Sequence, residues 1–302
     1  LTRASVDRIE ALIHQEVGRN IEGLFAATRG GLWRAASALA DAPRLSVGIM
    51  TGFYVPKGTP PAAETDGPIG AALLAAAFTR VSVPCRLVTD EPCRTACTAA
   101  LAGGGVPRTP LDIVPLGGVV NDTVALWRRL GVTHALSIER CGRSADGAPR
   151  NMRGEDISAF STPLDDLFLA GPWQRIAIGD GGNEIGMGSV PAALIGAHVA
   201  HGETIACATP ADWLIAAGVS NWGAYALIGA LAVLRSDWRD SLRKCLDADL
   251  DGAILQATVY DGPAVDGVTR AQGLTVDSLA AQVHHAKLRA IRAVVEDDAG
   301  AL

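Results

Sequence analysis

The densest group of residues able to do chemistry is the run GDGGNEIGMG, Gly179 to Gly188, where five glycines in ten residues surround Asp180, Asn183 and Glu184. Glycine admits positive φ and close backbone approach, so the amides of Gly181 and Gly182 could meet a small ligand at a helix start. The acidic side chains of the same loop repel bare phosphate and suit a cation, an ammonium group or proton transfer. The run also misses both nucleotide patterns. Glu184 stands where the third glycine of the dinucleotide fingerprint belongs, and Met187 stands where the Walker lysine belongs. No nucleotide is expected. A plainer alternative makes Asp180 and Asn183 helix caps and Glu184 a first-turn acid.

Three further stretches carry polar groups. IERCGRSADG sets Glu139, Arg140, Arg143 and Asp146 within eight positions. A guanidinium fork matches a carboxylate, so Arg140 and Arg143 beside Glu139 are clamp candidates, with a solvated ion-pair cluster as the alternative. ETDGPIG places Glu64 and Asp66 just ahead of a helix, either as oxygen ligands or as a turn and cap. Thr51 and Gly52, and Asn221 in GVSNWGAYAL, complete the set. No HExxH or GxSxG run exists, which disfavours metalloprotease and hydrolase chemistry. The six cysteines are thinly spread, and Cys93 and Cys97 lack a nearby histidine to complete a zinc set. They read as small buried residues in a reducing compartment.

Groups so far apart in sequence need a scaffold that gathers them. From Leu45 onward, short β-rich runs alternate with turns and Ala/Leu-rich helical stretches. The runs are Leu45 to Met50, Cys85 to Thr89, Leu111 to Leu116, His134 to Ile138, Arg175 to Gly179, Thr204 to Ala208 and Trp213 to Ala217. Helices are expected over Gly70 to Thr79, Arg94 to Ala102, Asn121 to Leu130, Val190 to Ala200, Trp222 to Leu234 and Val276 to about Glu296. This pattern predicts an α/β fold in three layers: a mostly parallel, doubly wound, Rossmann-like sheet with extra N- and C-terminal helices. One unit is expected over 1–302, with N-terminal helices in 1–44, the sheet core in 45–238 and a helical extension in 239–302. In such sheets ligands bind outside the carboxyl ends of the strands, which is where the polar groups above fall.

Composition agrees with a small-molecule protein. The chain has 302 residues, is 49% hydrophobic and carries a net charge of −6, which excludes disorder and offers no field for nucleic acid or acidic membranes. Its longest apolar stretch, Ala224 to Leu234, is far short of the ~20 residues that a bilayer requires. The first residues lack the pattern of a secretory signal, so a soluble, cytoplasmic protein is expected. A homo-oligomer is compatible with the sequence.

TGFYVP with ETDGPIGA, IERCGRSADG, TPLDDLF (Thr162 to Phe168), GDGGNEIGMG, the IAC of Ile205 to Cys207, AGVSNWGAYAL and VDGVT (Val265 to Thr269) together resemble the C-terminal domain of the D-glutamate cyclase family. The resemblance runs from about Gly48 to Asp277. It implies a hydro-lyase that converts D-glutamate to 5-oxo-D-proline and water without ATP, mitochondrial in animal relatives. Those longer animal members carry a further N-terminal domain that this sequence does not include. For such a reaction the expected catalytic groups are Asp180, Glu184 and Asn183. Glu139, Arg140, Arg143, Asn221, Thr51, Gly52, Gly181 and Gly182 are expected around the substrate, with Asp180, Glu184, Glu64 and Asp66 able to hold a divalent metal. Two other readings fit the same rim: a different lyase, and a non-catalytic amino-acid-binding module.

Overall fold

The structure, a computed structural model, describes residues 2–300. Its strands are β1 (Val47–Met50), β2 (Tyr54–Val55), β3 (Ala62–Ala63), β4 (Cys85–Asp90), β5 (Leu111–Val114), β6 (His134–Ile138), β7 (Gln174–Gly179), β8 (Trp213–Ala216), β9 (Thr275–Val276) and β10 (Leu279–Ala280). Its helices are α1 (Thr2–Ile13), α2 (Glu22–Thr28), α3 (Gly31–Ala40), α4 (Pro68–Arg80), α5 (Arg94–Gly103), α6 (Asn121–Leu130), α7 (Asp165–Ala170), α8 (Ala192–His198), α9 (Gly202–Ile205), α10 (Ser220–Leu234), α11 (Arg239–Arg243), α12 (Ala248–Tyr260) and α13 (Ala281–Gly300).

Six strands form one parallel sheet in the order β5-β4-β1-β6-β7-β8. The chain builds outward from β1 to β5, then crosses back to lay β6 on the other side of β1. That reversal is the switch point of a doubly wound sheet, and it leaves a crevice beyond the carboxyl ends of β1 and β6. The Rossmann-like α/β expectation is met.

Strand sequences apolar at consecutive positions are covered on both faces. Val47, Ile49, Leu87, Leu136, Ile138, Ile176, Ile178 and Ile215 face one core, while Met50, Val88, Ala135, Ala177, Leu214 and Ala216 face the other. The first core contains α10, which is apolar around its whole circumference and therefore must be enclosed. It packs against α1, α3, α4, α11 and α13. The second core is closed by α6, whose Trp127 lies over Gly48 of β1, and by α2, α7 and α8.

Two expectations are corrected. Thr204 to Ala208 is not a strand: β8 pairs directly with β7, so the run does not lie between them, and Gly202–Ile205 closes into a helical turn instead. The last helix starts at Ala281, because Asp277 and Ser278 take φ of 53° and 64° and fold residues 275–280 into the β9–β10 hairpin. The hairpin β2–β3 was also not expected. Among the described residues no helix is long and apolar enough to cross a membrane.

A Cβ added at Gly48 would stand 2.3 Å from two atoms of the Trp127 ring. Both groups are locked between layers, so Gly48→Ala is expected to lower the unfolding free energy by about 1–3 kcal/mol, read by urea denaturation.

Candidate active site

The crevice at the switch point is assembled from residues that follow strands. Thr51 follows β1, Glu139 follows β6, Asp180 follows β7, and Ser220 opens α10 a few residues after β8. The loop before α4 passes over the β1 and β6 ends, which only glycine permits at position 67. There φ is 91°, and a Cβ would lie 2.8 Å from both the Glu139 Cβ and the Thr51 Oγ1. Asn221 braces this passage, its Oδ1 accepting from the amides of Gly67 at 3.0 Å and Gly70 at 2.8 Å. Asp66 is thereby held against the start of α10.

Three carboxylates meet there. One oxygen each from Asp66, Glu139 and Asp180 lies within 4.8 Å of the others, and all three residues are buried. Asp66 Oδ1 accepts from the Asn221 amide at 2.8 Å. The Ser220 amide donates to both Asp66 Oδ2 and Asp180 Oδ2 at 2.9 Å, and Ser220 Oγ donates to Glu139 Oε2 at 2.5 Å. Glu64 and Asp277 extend the acidic surface. Arg19, in the loop between α1 and α2, ties part of it down through Asp180 at 3.1 Å and Asp277 at 2.7 Å.

So many carboxylates cannot all be ionised in a buried space. Burial, reinforced by Asp277 and Asp66, pushes Glu64 well above the usual carboxylate range. Burial, then Glu184 and Asp66, does the same to Glu139. Asp180 rises through burial despite the opposing charge of Arg19. For Asp66, burial and Asp277 raise the value to about 7. Burial disfavours the Arg19 charge, but Asp180 and Asp277 outweigh it and keep the guanidinium protonated. The floor therefore holds shared protons near neutrality. Oxygen atoms at this spacing also match what a hard divalent cation takes.

Above this floor is a cavity of about 290 Å³. Its lining includes the acids Glu64, Glu139, Glu155, Asp180 and Asp277, the amide Asn183 and the cations Arg19, Lys57, Arg153 and Arg270. It can admit a small zwitterion, offering protons and carboxylates to an amine and guanidinium groups to an acid.

Of the residues singled out from sequence, Asp180, Glu139, Asn183 and Glu64 line the cavity, and Asp66 joins the carboxylate trio. Glu184 is turned into its own loop, where it accepts from the amides of Asp180 at 3.0 Å, Gly181 at 2.6 Å and Gly182 at 2.8 Å. Those glycine amides are consequently occupied. Arg140 is fully buried away from the cavity, donating to Gly52 O at 2.7 Å, Asp90 Oδ2 at 2.6 Å, Ser161 Oγ at 3.1 Å and Thr162 O at 2.5 Å. Arg143 forms a forked surface pair with Asp166, both bonds 2.7 Å. Thr51, Gly52 and Asn221 shape the crevice from behind. The sequence reading missed Arg19, Ser220, Asp277, Lys57, Arg153 and Arg270. Asp277 and Arg19 come from outside the sheet, where the strand-end rule does not reach. The turn residues Gly18 and Asn20 flanking Arg19 were the available signal.

Fold and site define a Rossmann-like α/β protein with a charged cavity at its switch point. The chain belongs to the D-glutamate cyclase-like, C-terminal family, whose profile matches residues 9–292. It is 37% identical over 219 residues to the human protein named D-glutamate cyclase, mitochondrial, a match covering 68% of this chain and 35% of the human one. The chain thus spans about a third of that relative's length.

Two outcomes test the site's construction. Asp66 binds its proton up to a pH of about 7 in the folded protein, against an ordinary value of 3.8, so between these limits the native state holds more protons than the unfolded one. Stability then falls as pH rises through that window, by up to about 1.4 kcal/mol per pH unit for each such proton. Asp66→Asn should flatten this slope when unfolding free energies are measured from pH 4 to 7. Glu184→Ala strips the acceptor from three buried amides and should cost about 3 kcal/mol or more in chemical denaturation, with Glu184→Gln milder because one acceptor oxygen remains.

Proposed function

We propose that this chain acts on D-glutamate, closing it to 5-oxo-D-proline with loss of water. The observation that carries the reading is the buried trio Asp66, Glu139 and Asp180, two of which line a cavity that Lys57, Arg153 and Arg270 also line. Membership of the family and the name of the human relative point to the same chemistry.

The reaction joins the α-nitrogen to the γ-carboxyl carbon and breaks one C–O bond. Two protons must leave the ammonium and end on the departing oxygen, which exits as water. A floor that already shares protons suits this transfer. Asp180, at the cavity surface, receives the ammonium and takes its first proton. Protonated Glu139, linked to Asp66 and Asp180 through Ser220, delivers a proton to the oxygen that leaves. Holding amine and carboxyl together in one cavity supplies the proximity advantage of an intramolecular reaction. No nucleotide enters this scheme. A divalent cation on the trio is a second way to neutralise the same oxygens.

Incubating the protein with D- and L-glutamate, with and without divalent ions, and separating the products by chiral chromatography tests the reading. 5-Oxo-D-proline is expected from the D-isomer, with at least a hundredfold loss in Asp180→Asn. Saturable D-glutamate binding without turnover would instead make the chain a binding module. If a chelator changed neither rate nor melting temperature, the cation would be excluded.

A further inference from the structure

Two arginines stand in the cavity wall beside a single carboxylate. Arg153 and Arg270 both line the cavity, and among the described residues neither side chain has an ion pair or hydrogen bond. The carboxylate beside them, Glu155, is committed to Lys57 and, at 2.8 Å, to Asn151 Nδ2. Burial and then the neighbouring Arg270 charge weaken the hold of Arg153 on its proton, and Glu155 partly offsets them.

Each arginine sits on a turn fixed from beneath. Asn151 Oδ1 accepts from the amides of Arg153 at 3.0 Å and Glu155 at 3.1 Å, and its carbonyl accepts from Gly154 at 2.9 Å. Buried Asp266 accepts from the amides of Val268 at 2.9 Å and Thr269 at 2.8 Å. The Arg270 amide donates to Asp266 O at 2.8 Å, while its own carbonyl accepts from Thr59 at 2.8 Å. Arg270 takes φ of 60°, a left-handed conformation that disfavours a side chain and persists because these bonds over-determine it. Like charges fixed on separate rigid turns repel until an anion joins them, and two guanidinium groups match the two oxygens of a carboxylate.

We propose that Arg153 and Arg270 form a carboxylate subsite that holds the α-carboxylate of the substrate. This rests on the cyclisation reading. Of glutamate's three charged groups, ring closure uses the ammonium and the γ-carboxylate, and both need the proton-sharing floor. The α-carboxylate is a spectator that the acidic floor repels and the two arginines attract. Anchoring it there directs the reacting ends to Asp180 and Glu139 and makes the protein selective for amino diacids.

The test compares Arg153→Gln, Arg270→Gln and the double variant. D-glutamate serves as substrate, and 4-aminobutyrate, which keeps the amine and distal carboxylate but lacks the α-carboxylate, as competitive inhibitor. The KM for D-glutamate should rise about tenfold in each single variant and further in the double, with a smaller change in kcat. The inhibition constant of 4-aminobutyrate should move less than threefold. An unchanged KM, or an equal rise in both constants, overturns the subsite while leaving cyclisation standing. Should the wild-type protein make no 5-oxoproline, cyclisation falls and calorimetric titration with D-glutamate decides the subsite. Binding weakened tenfold or more in the double variant supports it, and equal binding, or none to the wild type, overturns it.

Discussion

The site depends on the first turn of α10. Its opening amide is shared between Asp66 and Asp180, its hydroxyl reaches Glu139, and the next amide closes on Asp66 again. A helix N-terminus carries partial positive charge, so it can hold buried carboxylates that would otherwise drive one another apart. Several elements must hold α10 in that position. The helix is apolar on every side and enclosed by α1, α3, α4, α11 and α13, so tertiary packing fixes the end that the carboxylates need. Asn221 then ties the same turn to the loop that delivers Asp66.

This arrangement explains how much of the site could be read from sequence. Parallel strands buried on both faces leave a strong apolar signature, and the residues just after them must meet at one rim, so Glu64, Asp66, Glu139 and Asp180 were legible before any contact was known. Side-chain direction was not. Glu139 takes φ of 44°, and its carboxylate lines the cavity, whereas adjacent Arg140 is bound behind the wall by Asp90, Gly52, Ser161 and Thr162. Consecutive positions after a strand share a location without sharing a direction. Glu184 illustrates the same limit: an acid within a glycine loop reads as chemistry, but three unpaired amides in that loop demand an acceptor of their own.

Arg19 and Asp277 belong to a different category. They lie in turns outside the sheet, at opposite ends of the chain, and their pairing is purely tertiary. Both helical additions are therefore part of the site. The turn after α1 supplies a cation to the floor, and the β9–β10 hairpin ahead of α13 supplies an acid, so the packing of α1 and α13 on α10 bears on charge as well as on stability.

The charge balance of the cavity follows from these constraints. An acidic floor that exceeds its cations keeps protons at neutral pH, and a part of the lining whose cations exceed their acids keeps positive charge. Among the described residues Arg19 offsets part of the first excess and Glu155 part of the second. A molecule carrying an ammonium group at one end and a carboxylate close by satisfies both at once, whereas a simple amine or a simple acid satisfies one and meets repulsion from the other. On the cyclisation reading, selectivity for amino acids arises from these two groups of charge lining one cavity, with the turns that carry Arg153 and Arg270 held by backbone hydrogen bonds.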